Sequence, residues 1–253
     1  MIDLLKAAGC LLIVLHHLAF YGPMSDVVAV AWPGVVNWLY DHGRLAVQFF
    51  LVCAGFLTAS SMARYKSLAL TEALQLIWQR YLRLAIPLLA ALSFTVLVTE
   101  WLRPGFEHTS LSAPPDWGQA LAHVVLVQHL LDLEALSAGI WYVAIDLQVY
   151  AMALGCLVVL RSWPSHGATV HPSDPVVHAK AWGDARRWVL WLGLVCASLW
   201  WWNRDAELDD LGVYFWGSYG LGLLAWEARR QAFWAKGNAL ARFWGASACV
   251  AVG

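Results

Sequence analysis

Apolar residues in this chain run in long blocks rather than recurring at alternate positions or on one helical stripe. A block of about 20 apolar residues suits a helix that is apolar all round, and such a helix rises about 30 Å, the thickness of bilayer hydrocarbon. Seven blocks predict spans: Leu4–Tyr21, Leu45–Ala63, Trp78–Leu102, Ala138–Leu160, Trp188–Trp202, Leu211–Trp226, and a last one beginning near Leu240. Gly118–Leu131 is short and rich in histidine, which predicts an irregular or re-entrant segment rather than a full crossing. The fold class expected is an all-α, polytopic transmembrane bundle.

Charge orients these spans. Arg64, Lys66, Arg80 and Arg83 follow the second block, and Arg161–Arg187 and Arg229–Arg242 are also basic. Asn203–Leu211 is acidic, with Asp205, Glu207, Asp209 and Asp210 against Arg204. Basic links stay inside, which places the N-terminus inside as well. His166–Asp184 reads as an ordinary loop on that same side. His16-His17 interrupts the first block and no A-x-A site follows, which argues against a cleaved leader.

Composition agrees. The chain is 60% apolar and 13% charged, where soluble domains average about 45–50% and about 25%. A net charge of −1 gives no electrostatic case for nucleic acid. Seventeen tryptophans suit membrane interfaces, and Trp78 and Trp101 bracket the third block about 35 Å apart. Cys10, Cys53, Cys156, Cys196 and Cys249 lack metal or redox spacing and read as small buried helix residues. P-loop, dinucleotide, serine-hydrolase and zinc-protease signatures are absent from the sequence, and no metal site is expected.

Polar groups inside apolar helices are costly and so point to function. Lys6 and His17 are eleven residues apart, within about 20° of one helical face, with His17 about 16 Å further along it. A neutral imidazole there accepts a proton from a hydroxyl, or else bonds a neighbouring helix. His16 points about 100° away and is expected to be dispensable. Arg80 and Arg83 share a face as a guanidinium pair suited to phosphates, or as an anchor at the membrane edge. Tyr142, Asp146 and Tyr150 recur every four residues as a polar stripe. Asp146 needs a cation, for which Lys6, Arg80 and Arg83 are available, either to lock helices or to serve catalysis. In the second block Gly55 beside Ala54 allows close helix approach, and Gln48 is a hydrogen-bonding group in an apolar setting.

Taken in order, these pieces resemble the membrane acyltransferase-3 family. The carriers are Asp3, Leu5, Lys6 and His17, then Val47 through Phe56, then Arg80, Arg83 and Pro87, then Trp141, Asp146, Gln148 and Tyr150. Lys6 stands for the family's arginine, Ala54 for a serine, Tyr142 and Ala144 for two serines, and Leu147 for a second acidic residue. The resemblance implies an integral membrane O-acyltransferase of the bacterial inner membrane. It would carry an acyl group, often acetyl, from coenzyme A thioester to a hydroxyl of a carbohydrate, lipid or small molecule. It implies His17, Arg80, Arg83 and Asp146 as catalytic residues and Lys6, Arg80 and Arg83 as donor ligands. Asp3, Gln48, Tyr142, Gln148 and Tyr150 would support them. Acyl-coenzyme A is then a co-substrate, with no permanently bound cofactor, and the partners are membrane lipid, donor and acceptor. The family is built on about ten helices, so a single domain over residues 1–253 is expected to lack the last ones. The competing reading is a transporter or an inactive relative, with the same groups paired together or lining a path. The acyltransferase reading demands that His17 and the arginine pair face one cavity.

Overall fold

The computed structural model describes residues 2–21, 23–65, 68–106, 113–137, 139–162 and 175–250, with the side chains at 2, 23, 161–185 and 232–250 left aside. Among the described residues the fold is all helix, with no strand. The helices are α1 (Ile2–Phe20), α2 (Pro23–Ala31), α3 (Pro33–His42), α4 (Leu45–Met62), α5 (Leu70–Leu102), α6 (Trp117–Val125), α7 (Ile140–Ser162), α8 (Pro175–Trp200) and α9 (Gly212–Val250). Among the described residues four stretches are long and apolar enough to cross a bilayer: Asp3–Phe20, Pro33–Met62, Leu70–Gly105 and Ile140–Leu160.

The seven apolar blocks fall into six long helices. The block at Leu211 and the one near Leu240 belong to the single helix α9, and the basic link Arg229–Arg242 between them is helical rather than a loop. Arginine, lysine, glutamine and alanine are strong helix formers, so a cluster of charge does not by itself interrupt a helix. The loop expected over His166–Asp184 is corrected for the same reason. Its second half, from Pro175, is the first part of α8, with proline at the helix start where its missing N–H costs nothing. Residues 163–174 lie outside the described set. Gly118–Leu131 holds the nine-residue α6 and a 3-10 turn, a rise of about 14 Å for the helix, which is too short to cross. Asp116 caps α6 by accepting from the Gln119 N–H at 2.6 Å, and Leu126 ends it in the left-handed region at φ 61°.

Helix α4 is the centre of the bundle, packed on α9, α1 and α7. Lipid removes much of the hydrophobic drive between helices, so close packing of small residues and hydrogen bonds have to hold them. At the α4–α9 crossing a Cβ on Gly55 would collide with the Tyr219 carbonyl, and one on Gly222 with the Val52 carbonyl. The two glycines therefore let the backbones touch. Polar side chains fasten the same interface: Ser218 Oγ donates to Gln48 Oε1 at 2.5 Å, and the Tyr219 hydroxyl donates to Thr58 at 2.8 Å. Gln148 on α7 accepts from the Gly212 N–H at 2.6 Å, satisfying a donor at the start of α9.

One expectation is corrected: of the cysteines expected to be buried, Cys53 is, whereas Cys10 is exposed on α1 and Cys156 and Cys196 are half-buried. His16, expected to be dispensable for the chemistry, has a packing role. It is buried, its ring bonds the Leu39 carbonyl at 2.9 Å, and Gly43 lets it approach α3 closely.

Candidate active site

Two cavities lie at opposite ends of α1 and α4, which run antiparallel, Gly9 packing on Phe50 and Gly43 on His16. The first, about 530 Å³, collects Lys6 from α1, Thr58 and Ser61 from α4, Arg64 and Tyr65 just after it, Arg80 and Arg83 from α5, and Tyr142, Asp146 and Tyr150 from α7. The fourfold spacing of the α7 stripe thus delivers all three side chains to one wall.

Asp146 takes Arg80 as its cation. Arg80 donates through Nε at 3.1 Å and through Nη2 at 2.9 and 2.6 Å, and its guanidinium lies 5.2 Å from the centre of the Tyr150 ring. The Asp146 side chain is 4% exposed and that of Arg80 26%. The fork supplies charge-assisted hydrogen bonds in place of the water that burial removes from Asp146. Arg80 and Arg83 are therefore not equivalent. The first is committed to Asp146, joining α5 to α7. Arg83, exposed on α5, forms no ion pair among the described residues, and neither do Lys6 and Arg64. Three uncommitted cations facing one cavity make a site for a polyanion.

The second cavity, about 320 Å³, is lined by His16, His17, Tyr21, Arg44, His129, Trp141, Asp209 and Asp210. His17 Nδ1 is buried without a hydrogen-bond partner, and its ring stacks on Tyr21 with centroids 5.9 Å apart. His129 Nδ1 lies 3.3 Å from Asp210 Oδ1, while its Nε2 is buried and unpartnered. Arg44 sits 3.9 Å from Asp209, with its guanidinium 5.0 Å from the centre of the Trp141 ring.

The structure does not bring His17 and the arginine pair into one cavity. Lys6 and His17 share a face of α1, as their spacing predicts, but a rise of about 16 Å puts them at different ends. The rest of the expected site divides accordingly. Lys6, Arg80, Arg83, Tyr142, Asp146 and Tyr150 meet in the first cavity. Gln48 and Gln148 line neither and fasten α9 to α4 and α7. Asp3 is exposed in the first turn of α1 and lines neither. Motif reasoning passed over Arg64, Arg44, His129, Asp209 and Asp210. The signals were present as a basic link, a histidine-rich segment and an acidic loop, but nothing in one dimension joins them. Among the described residues no three His, Cys, Asp or Glu side chains converge as a metal site.

A bundle of apolar helices around charged cavities defines a multi-pass membrane protein with a built-in polar site. The whole chain, residues 1–253, matches the acyltransferase domain of the acyltransferase-3 family, and the chain belongs to that family. It is also similar to "Regulator of hypoxia-inducible factor 1" of Caenorhabditis elegans, 25% identical over 182 residues, covering 66% of this chain. The chain spans about a third of that relative's length, the match covering 35% of it. No solved structure matches.

Proposed function

We propose that this acyltransferase takes its acyl group from a coenzyme A thioester and places it on a hydroxyl, that of a carbohydrate, lipid or small molecule. The observation that carries the reading is the first cavity, where Lys6, Arg64 and Arg83 face the space with no ion pair among the described residues. A nucleotide thioester carries several phosphate charges, and planar guanidiniums bind phosphate through paired hydrogen bonds. In this reading Arg80 is a support rather than a donor ligand, since Asp146 already engages its fork.

His17 serves as the base in the second cavity. Its imidazole takes the proton of the acceptor hydroxyl, a role worth about 10²–10⁴-fold. The oxygen then attacks the thioester carbon and the C–S bond breaks. The basic links put the donor cavity on the inner side and the acidic segment Asn203–Leu211, with the second cavity, on the outer side. The donor then enters from the basic end and its acyl end must reach past the α1–α4 contact at Gly9 and Phe50.

The test is transfer of label from radiolabelled acetyl-coenzyme A to non-thiol acceptors in membranes of the source cells, with a mass-spectrometric comparison of envelope glycans and lipids with and without the gene. Label on a hydroxyl acceptor that depends on Arg83 supports the reading. Saturable donor binding with no transfer by the intact protein overturns it. That second outcome belongs to the inactive-relative reading, which the separation of His17 from the cations favours.

A further inference from the structure

The second cavity contains more proton chemistry than one base requires. Three imidazoles line it; that of His16 is engaged with the Leu39 carbonyl, and the other two each have a buried ring nitrogen with no partner among the described residues, Nδ1 of His17 and Nε2 of His129. They differ in what holds them. His17 has no carboxylate contact, whereas the Nδ1 of His129 faces Asp210 at 3.3 Å. A carboxylate at Nδ1 accepts the proton there and leaves the lone pair on Nε2, the arrangement that makes an imidazole a directed proton acceptor. His17 and His129 are both half-buried, and the Asp210 side chain, 50% exposed, opens to the outside. Asp209, Arg44, Tyr21 and His16 complete the polar lining.

We propose that His129 and Asp210 form the proton outlet of this cavity, carrying to water the proton that His17 removes from the acceptor hydroxyl. The inference rests on the acyl-transfer reading above. The hydroxyl O–H bond breaks and its electron pair forms the new bond to the acyl carbon. The C–S bond breaks and its pair stays on sulfur, which lies beside the acyl carbon and takes a proton from a neighbouring water. The hydroxyl's proton passes from His17 to Nε2 of His129, and the Nδ1 proton of His129 leaves by way of Asp210. Exchange with water then returns His129 to its starting tautomer. No oxidant or further reactant is needed. A cavity of about 320 Å³ holds on the order of ten waters at about 30 Å³ each, and both rings line it.

The full-length protein in membranes of the source cells, supplied with radiolabelled acetyl-coenzyme A, provides the test. His129→Ala should lower the turnover of label transfer about 10²-fold with the KM for acetyl-coenzyme A unchanged. Imidazole added to the buffer should restore part of that loss, which no structural role for His129 would allow. Asp210→Asn, at a half-exposed side chain that folding tolerates, should lower turnover about tenfold. It decides the matter should His129→Ala fail to fold. Wild-type turnover in Asp210→Asn, or a loss in folded His129→Ala that imidazole does not relieve, overturns the outlet. If the wild-type protein itself transfers no label, the acyl-transfer reading falls and the outlet with it.

Discussion

The two ends of the α1–α4 pair handle charge by opposite means. At the Lys6 end the cations outnumber the carboxylates, and the one carboxylate, Asp146, is locked to one arginine. At the His17 end the two carboxylates of Asp209 and Asp210 each face a cation or an imidazole, and His16 and His17 add two further imidazoles to the lining. In the reading proposed above, the first end holds fixed negative charge and the second moves protons. Separating them lets each keep its own electrostatics, because a guanidinium cluster beside His17 would oppose its becoming an imidazolium.

The largest expected effect lies at the proton-moving end. His17→Ala should reduce label transfer about 10²–10⁴-fold with the protein still folded and inserted. His16→Ala should leave the chemistry and instead lower the unfolding midpoint, since it removes a buried bond to Leu39. Equal loss of transfer in both, measured side by side in the same membranes, breaks the distinction between the two histidines.

At the cationic end the expected order of effects inverts, with stability leading. Asp146→Ala strands Arg80 in a largely enclosed site and should destabilise by about 3 kcal/mol, seen as a lower denaturation temperature in detergent. A stability loss no larger than that of an exposed control such as Glu100→Ala would mean that the Asp146–Arg80 fork does not join α5 to α7. Next come the uncommitted arginines. Arg64→Lys and Arg83→Lys should each weaken acetyl-coenzyme A binding several-fold, because a point charge does not reproduce a planar fork. Arg80→Lys should instead follow Asp146→Ala in its effect on stability. The smallest effect is that of salt. Donor binding should weaken as ionic strength rises, while the turnover of bound donor should not. Salt sensitivity appearing in turnover would erase the contrast between the two ends.

The α7 stripe shows how far residue order carries. Tyr142, Asp146 and Tyr150 stand on one helix, and 3.6 residues per turn is enough to align them on one wall. The same rule put Lys6 and His17 on one face of α1, and it held. Facing one way is not the same as facing one cavity, however, because rise along the axis separates what rotation aligns. Charge clustering near Arg229–Arg242 misled for a related reason: helical hydrogen bonds are local and indifferent to exposed charge, so α9 continues through it.

Helix type, the apolar blocks, the placement of Gly55 at a close contact and the family resemblance over residues 3–150 were all determined by the sequence alone. Each depends on neighbours within a few turns or on motif order along the chain. The structure alone decided which cation Asp146 takes, that Gly55 meets Gly222, and that Arg64 joins Lys6 and Arg83. It likewise brought His129 of the α6 segment to Asp210, 81 residues later in the chain. These are pairings between elements, and their energy depends on distance and burial in three dimensions, which residue order leaves open until the helices have packed.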